Sequence, residues 1–226
     1  VKAMQKNVDG ILLLPNQQDT QSIELLNKKN FPYVILGRMF DDISADYVLA
    51  DDRKEAYLAT KHLISKGHKN ILFLNSFMHI SSSVERLEGY KAALAENNIA
   101  YNDNNVKTIS TRKGDTEKII KSIFSEKNDY TAIFCYCDVI AFEAYYTLSI
   151  LGYKIPDDIA IASADNIHSD IILPVQITSA GPDRKELSKA CVDILIEKIE
   201  NHDPSSRKTH FTKKVIDVTL AIGQTT

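Results

Sequence analysis

Three acidic residues closely follow apolar runs of the chain that predict buried strands. They are Asp51, Asp138 and Asp165. Because parallel strands end at one edge of a sheet, we expect the three carboxylates along that edge, where ligands of parallel α/β folds bind. Taken singly, each acid is equally well explained as a helix N-cap or first-turn residue. Three of them in the same position, joined by Arg86, favour a polar ligand site.

The residue types at this edge suit a polyol such as a sugar. A carboxylate accepts hydrogen bonds from hydroxyls, and the Arg86 guanidinium donates in a fixed fork. Ser82 and Ser83 belong to a serine run that is as easily a flexible loop and N-cap as a source of hydroxyls for the site. Cys137 ends a strand and is placed to touch a ligand, whereas Cys135 is more readily a structural thiol.

Catalytic and metal-binding motifs are not found in the sequence. It contains no G-x-S-x-G, H-E-x-x-H, phosphate-binding loop or G-x-G-x-x-G segment. Asp51 and Asp165, as a pair of glycosidase acids, would need a defined separation that a sequence does not supply. The C-x-C spacing of Cys135 and Cys137 differs from the C-x-x-C of common zinc and redox sites. We therefore expect a binding protein with no catalytic residues, no metal and no cofactor.

Composition places the chain among ordinary globular proteins. It has 226 residues, 44% of them hydrophobic, and a formal net charge of -3, which argues against a nucleic-acid-binding surface over the whole molecule. Its three cysteines are an odd set that suits buried thiols in a reducing, cytoplasmic compartment better than a disulfide framework. No stretch approaches the roughly 20 apolar residues of a membrane span, and no secretory signal is recognised, so we expect no membrane partner.

Apolar runs and helical spacing alternate along nearly the whole chain. Predicted strands cover 8–14, 33–36, 47–50, 70–75, 106–110, 131–136, 159–164, 175–178 and 215–222. Predicted helices cover 19–30, 55–66, 84–97, 115–124, 139–151 and 183–199. This alternation predicts an α/β fold with mainly parallel sheets flanked by helices and right-handed crossovers.

Several short motifs occur in one order over nearly the whole chain. They are VDGIL at 8–12, PYV at 32–34, VLADD at 48–52, ATKHL at 59–63, GHKNI at 67–71, RLEGY at 86–90, Asp138 with Ala141, and GYKIPDDI at 152–159. Each motif alone is a weak signal. Together they resemble the effector-binding core of the lactose-repressor/galactose-repressor (LacI/GalR) family of bacterial transcription regulators.

The resemblance implies two similar α/β lobes of the periplasmic-binding-protein type I class, linked by three crossovers, with a small effector bound between them. The expected N-terminal lobe comprises 1–68 and 178–210 and is incomplete at its start. The expected C-terminal lobe comprises 69–177 and 211–226. Because the family's helix-turn-helix headpiece does not occur in this chain, operator DNA is expected as a partner only through such a headpiece, and a fragment of a longer protein is one interpretation of the sequence.

The resemblance also assigns roles to individual residues. Arg86 matches the family's effector-contacting arginine, with Asp165 acting from the same lobe and Asp51 from the other. The expected function is the effector-binding and dimerisation core of a repressor that senses a sugar or sugar derivative, and the effector acts by favouring one closure state over another. Two alternatives are an exported sugar-binding protein for transport, which shares the fold, and a sugar-acting enzyme.

The chain departs from the family pattern at positions near the expected site. Cys137 stands where an asparagine is usual, and Glu55 replaces a common glycine. Thr116 occupies a place where several members have an aromatic residue. Stacking against an effector ring is therefore expected from Phe77 or Tyr136, or is absent.

Overall fold

The computed structural model describes residues 8–15, 20–126, 128–167, 175–203 and 210–226. The chain forms two compact units, one of residues 1–51 and 183–217 and the other of residues 52–182 and 218–226. Each unit is built on its own sheet, and the strands pair in parallel except at β10. The predicted α/β class with mainly parallel sheets is confirmed.

Strands and helices alternate in the order that the sequence predicts. The strands are β1 (Ile11–Leu13), β2 (Tyr33–Leu36), β3 (Tyr47–Ala50), β4 (Ile71–Asn75), β5 (Val106–Thr108), β6 (Ala132–Cys135), β7 (Ala160–Ala164), β8 (Thr178–Pro182), β9 (Lys213–Ile216) and β10 (Val218–Ala221). The helices are α1 (Gln21–Lys28), α2 (Asp52–Ser65), α3 (Ser81–Glu96), α4 (Asp115–Phe124), α5 (Asp138–Ile150) and α6 (Arg184–Glu200), with a 3-10 helix at Asp103–Asn105. The predicted start of the first helix at Asp19 lies outside the described residues.

The first unit holds a parallel sheet in the order β1-β2-β3-β9. Side-chain alternation sends Ile35 and Leu49 to the face that packs with α1, and Val34 and Val48 to the face that packs with α6. Both faces are therefore apolar, as expected for a parallel sheet covered by helices on both sides.

A buried ion pair fastens α6 to this sheet. Asp46, just before β3, is fully buried and pairs with Lys198 of α6. Its other carboxylate oxygen accepts a hydrogen bond from the Thr212 amide at 2.8 Å, directly before β9. The charge of Asp46 is thus compensated by two elements that are distant in sequence, as a buried carboxylate requires.

The second unit holds a sheet in the order β10-β8-β7-β6-β4-β5, in which β10 runs antiparallel to β8. β4 is buried over its whole length. Ile71 and Phe73 join the apolar cluster that contains α2 and α3, whereas Leu72 and Leu74 join the cluster that contains α4 and α5. Helices therefore cover both faces of this sheet, which explains the unbroken apolar run in the sequence of β4.

The last residues of the chain are part of the second unit. The Thr225 hydroxyl donates to the Ile161 carbonyl at 2.6 Å and accepts from the Thr178 amide at 3.0 Å. The Thr226 hydroxyl lies 2.8 Å from Nε2 of His62 in α2. These contacts connect the segment after β10 to β7, β8 and α2.

Two predicted elements differ from the structure. The single predicted strand 215–222 is two strands, β9 and β10, which pair in different sheets on either side of Asp217. The predicted strand 175–178 overlaps β8 only at Thr178, because β8 begins at this residue and extends to Pro182. In both places the hydrogen-bonding partner, which the local sequence does not reveal, sets the bounds of the strand.

The division into units also differs from the expected lobe boundaries. We expected the first boundary at residue 68, which would have placed α2 in the N-terminal lobe. In the structure the chain leaves the first unit after Asp51, returns at Asp183 and leaves again after Asp217. The reason is that α2 packs on α3 and on the second sheet through Ala56, Ala59 and Leu63, which are fully buried there.

Among the described residues, no helix is long and apolar enough to span a membrane.

Gly89 allows α2 and α3 to pack at very short range. A Cβ atom at this position would lie 2.1 Å from the Arg53 carbonyl oxygen and 2.9 Å from the Ala56 Cβ. The first distance is far below van der Waals contact and involves backbone, which cannot rotate away. A side chain of any size at position 89 therefore forces the two helices apart.

We expect Gly89→Ala to destabilise the protein by about 1–3 kcal/mol through overpacking, although Gly→Ala in a helix ordinarily stabilises by up to about 1 kcal/mol. Urea unfolding followed by circular dichroism measures the difference. Ala92→Gly, at an exposed position of the same helix, calibrates the helix-propensity effect alone. A gain of stability in Gly89→Ala would show that the helices separate without cost.

Candidate functional site

Arg86 lies on the buried face of α3. The buried positions of this helix are Ser82, Ser83, Arg86, Gly89, Tyr90, Ala93 and Leu94. Their spacing of three and four residues marks one stripe, and Arg86 is the charged member of it. An arginine is rarely buried in this way unless acidic groups compensate its charge, so the stripe itself requires carboxylates opposite Arg86.

Three carboxylates surround the Arg86 guanidinium. Nη2 lies 2.9 Å from Asp52 Oδ1, 2.7 Å from Glu55 Oε2 and 2.7 Å from Asp165 Oδ1. Asp52 and Glu55 lie in the first turn of α2, and Asp165 directly follows β7. The cluster therefore joins α2, α3 and the end of a central strand around one positive charge.

Tyr136, directly after β6, closes another side of Arg86. Nη1 of Arg86 donates to the Tyr136 carbonyl, and the tyrosine ring centroid lies 4.5 Å from the guanidinium carbon, within the range of a cation–π contact. The Tyr136 hydroxyl lies 2.6 Å from the Ser82 hydroxyl. The structure thus brings together four predicted site residues: Arg86, Asp165, Tyr136 and Ser82.

Three carboxylates surround one guanidinium, and burial makes their excess negative charge energetically unfavourable. Burial raises the pKa of Glu55 to about 8 and that of Asp52 to about 6; in both cases the attraction of Arg86 is too weak to offset burial, and the other carboxylates add repulsion. The same carboxylates raise the pKa of Arg86, against the opposing effect of its burial. The excess of carboxylates therefore favours retention of a proton by the cluster, most strongly at Glu55, whose side chain is more buried than those of Asp52 and Asp165.

Two polar atoms of the cluster have no hydrogen-bond partner within the described part of the chain. They are Nε of Arg86 and Oε1 of Glu55. The side chains of Arg86 and Glu55 are only 4% and 1% exposed, whereas those of Asp52 and Asp165 are 13% and 34% exposed. The buried side of the cluster, formed by Arg86 and Glu55, thus has polar atoms without a described partner. Its more accessible side is formed by the carboxylates of Asp52 and Asp165.

Asp138 lies in a separate polar setting. One of its carboxylate oxygens accepts from the hydroxyls of Ser163 in β7 and Ser179 in β8, the latter at 2.7 Å, and the other accepts from the Ile167 amide. Burial raises its pKa despite these hydrogen bonds. The described contacts of Asp138 thus connect α5 to the strand ends and do not include Arg86.

The turn that carries Asp165 has an uncommon backbone. Asp165 and Asn166 both have left-handed conformations, with φ of 89° and 50°. The Asn166 amide donates to the Ser179 hydroxyl at 2.9 Å, and a Cβ on Gly181 would lie 2.6 Å from the Asn166 Cβ. Strand β8 can approach the turn only because residue 181 is glycine, and this approach holds Asp165 towards Arg86.

Two further predicted residues are buried. Cys137 precedes α5, and burial, together with the negative charge of Asp165, raises its pKa to about 12, so the thiol is unreactive at neutral pH. Ser83 is fully buried, and its hydroxyl has no hydrogen-bond partner within the described residues. Among the described hydrogen bonds, none joins the side chain of Cys137 or Ser83 to the Arg86 guanidinium.

The described ring contact of Phe77 does not involve the Arg86 cluster. Its side chain is 43% exposed, and its ring stacks on His79 with a centroid distance of 5.6 Å. It lines an open cavity of about 410 Å³ with the last residue of β5, the two residues after it and residues of α4: Thr108, Ile109, Ser110, Asp115, Lys118, Ile119 and Ser122. The predicted role of Phe77 in stacking against an effector stays a prediction.

Asp51 is the last residue of the first of the two segments that form the first unit. It directly follows β3, as predicted, and its amide donates to the Ile216 carbonyl of β9 at 3.1 Å. Its predicted role as a ligand contact stays a prediction.

Sequence reasoning did not single out Glu55 as a partner of Arg86. A signal was present, because Glu55 precedes Ala59 by four residues and Leu63 by eight, and so lies on the buried stripe of α2. An acid on an apolar stripe predicts a buried counter-charge. Within the described residues, no cluster of histidine, cysteine and acidic side chains is suited to hold a metal ion.

The pKa of Glu55 predicts a pH-dependent stability. Because this pKa is raised from 4.5 to about 8 in the folded chain, its stabilising contribution is complete below the lower value and is lost as the pH rises through the upper one. One pH unit of pKa is equivalent to about 1.4 kcal/mol, so the free energy of unfolding should fall by on the order of a few kcal/mol over this range. Urea unfolding at a series of pH values measures the fall.

Glu55→Gln provides the matched test. We expect the variant to lose most of the slope above the pKa of about 6 of Asp52, where Glu55 is the remaining titrating acid of the cluster. Glu88→Gln, at an exposed acid of α3 paired with Lys91, should keep the slope of the wild type. Equal slopes in Glu55→Gln and the wild type would assign the titration to another group.

A family model for the periplasmic binding protein-like domain matches residues 60–226 of the chain. The match covers most of the second unit and the later part of the first.

Two relatives are named as repressors. The chain is 33% identical over 204 residues to the HTH-type transcriptional repressor PurR of Actinobacillus pleuropneumoniae serotype 3, covering 87% of this chain and 59% of the relative. It is 32% identical over 205 residues to the ribose operon repressor of Haemophilus influenzae, covering 90% of this chain and 61% of the relative. The chain thus spans about three fifths of the length of these relatives.

The fold is shared with a solved LacI-family transcriptional regulator of Enterococcus faecium with bound ribose. The TM-score is 0.84 at 24% sequence identity, over 100% of this chain and 82% of the other. The chain therefore belongs to the periplasmic-binding-protein-like family, and over the matched length it is similar to repressors and to a LacI-family regulator.

Proposed function

We propose that this chain is the effector-binding core of a bacterial DNA-binding transcription regulator, and that Arg86 anchors a small polar effector of the sugar class. The observation that carries the proposal is a nearly buried guanidinium held beside the accessible carboxylate of Asp165. Titratable groups with strongly shifted pKa values cluster at functional sites, and here they cluster at the carboxyl ends of parallel strands.

The chemistry of the cluster suits hydroxyl groups. Asp165 and Asp52 offer carboxylate oxygens that accept hydrogen bonds, and the hydroxyls of Ser82 and Tyr136 can both donate and accept. A sugar presents several hydroxyls on a compact ring, so it can engage both kinds of group at once. The names of two similar proteins support this class: one is the repressor of a ribose operon, and the other is a regulator with bound ribose.

A binding role is supported over a catalytic one by the names of the relatives, which are repressors. The contacts of Asp138 support the same view, because this acid is engaged by two serine hydroxyls and a backbone amide. Asp138 and Cys137 would then influence effector binding indirectly, by fixing the conformation of the strand ends. Asp51, Ser83 and Phe77 remain proposed ligand contacts.

We expect Arg86→Ala to weaken sugar binding by about tenfold or more, because Arg86 holds the Asp52 and Asp165 carboxylates that accept from sugar hydroxyls, and a hydrogen bond to a charged group contributes about 1.5–3 kcal/mol. Isothermal titration against a sugar panel that begins with ribose measures the affinity. Arg53→Ala is the matched control, because Arg53 is an exposed arginine of α2 that pairs with Glu85.

Folding must be checked in this experiment, because Arg86→Ala leaves three carboxylates without their counter-charge. Arg86→Lys keeps the charge and removes the planar fork, and should also lower the affinity. Unchanged affinity in a folded Arg86 variant would exclude Arg86 as the anchor. A panel that yields no ligand for the wild type would exclude a sugar effector.

We also propose that the full-length protein is a homodimer that binds operator DNA through a headpiece outside this chain, and that the effector changes its DNA affinity. The helix-turn-helix repressor among the relatives supports this assignment. The effector can act only as far as it binds one conformation of the core more tightly than the other.

Light scattering of the full-length protein should give twice the mass of one chain. Its affinity for a DNA fragment that it selects should change by about 5–150-fold when the effector is added, the usual range of allosteric coupling. A monomer, or a DNA affinity indifferent to a bound effector, would contradict the proposal.

A further inference from the structure

We propose that the Arg86 site selects uncharged polyols and rejects their phosphorylated or carboxylated forms, and that Glu55 sets this selectivity. The inference rests on the proposed effector site at Arg86 and adds the charge class of its ligand. Three carboxylates surround one guanidinium at this site. The net charge of the whole cluster, rather than the arginine alone, therefore decides which ligands bind.

The charged groups that a ligand can reach at this cluster are acceptors. Asp165 and Asp52 are the accessible members, and Arg86 is nearly buried behind them. An ionised carboxylate only accepts hydrogen bonds, so it matches a ligand that supplies hydroxyl donors. A phosphate group offers acceptor oxygens and negative charge, and would face oxygens of the same kind.

The donors of Arg86 are already directed at protein groups. Nη2 contacts the three carboxylates, and Nη1 donates to the Tyr136 carbonyl. Nε has no partner within the described residues but is buried with the rest of the side chain. To bind a phosphate, Arg86 would have to release a carboxylate, which would then lose its counter-charge.

Glu55 determines the size of the negative excess. With Asp52 and Asp165 ionised, the single charge of Arg86 leaves one net negative charge when Glu55 is protonated and two when it is ionised. The charged groups that face Glu55 are Asp52 on its own helix, Arg86 on α3 and Asp165 after β7. Since the pKa of Glu55 is about 8, the second negative charge develops as the pH rises through this value.

Two sugars and their phosphate esters provide the probes: ribose, ribose 5-phosphate, glucose and glucose 6-phosphate. Calorimetry at about pH 7 and about pH 9 compares their affinities, and a phosphate monoester is close to doubly charged at both values. We expect the wild type to bind at least one uncharged sugar about tenfold or more tightly than its ester at the lower pH. The ratio should grow by about a further tenfold at the higher pH, because like charges repel strongly at a buried site.

Glu55→Gln should keep at both pH values the ratio that the wild type shows at the lower one. Glu88→Gln, which removes an exposed acid of α3, should behave as the wild type. Melting temperatures establish that each variant is folded.

Equal binding of an ester and its parent sugar would overturn the charge selectivity and leave the sugar site at Arg86 standing. A ratio that is independent of pH in the wild type, or that rises in Glu55→Gln as well, would remove Glu55 as its cause. Binding of none of the four probes would count against the proposed sugar effector and would remove this inference with it.

Discussion

The charge of Arg86 is the constraint on which the second unit depends. A guanidinium on the buried stripe of α3 is tolerated only because carboxylates from α2 and from the turn after β7 surround it. The close contact of α2 and α3 at Gly89 keeps Asp52 and Glu55 within reach of Arg86. The close approach of α2 and α3 brings the opposite charges within ion-pair distance. The ion pairs in turn compensate the charges that this packing buries.

Much of the fold could be predicted from the sequence because its signals are local. The apolar run of β4 and the alternating helices required only hydrophobic patterning to be recognised. The assignment of α2 to a unit could not be predicted in this way, because it depends on the packing of Ala56, Ala59 and Leu63 against a distant sheet. The same is true of β9 and β10, which share one extended stretch of sequence and pair with different sheets.

The side chains that meet at Arg86 agree with the prediction where strand ends decide their position and differ from it where tertiary contacts do. Asp165 and Arg86 meet, as their places after a strand and on a helix suggested. Asp138 also follows a strand, yet its carboxylate is engaged by Ser163 and Ser179, whose hydroxyls point towards it only because β7 and β8 are neighbours. Glu55 lies on the buried stripe of α2, and this position indicates a buried counter-charge. The sequence contains this signal, but it can be recognised only once the buried face of the helix is known.

The pairing of β9 and β10 has a consequence for the order in which the chain can fold. β9 completes the first sheet beside β3, and β10 completes the second beside β8, with one residue between them. During synthesis on the ribosome, neither sheet can therefore acquire its last strand until residues 213–221 have emerged. The earlier strands must wait with an unpaired edge, and such an edge is a site for aggregation, so this chain is expected to depend on chaperones more than a protein whose domains close in sequence order.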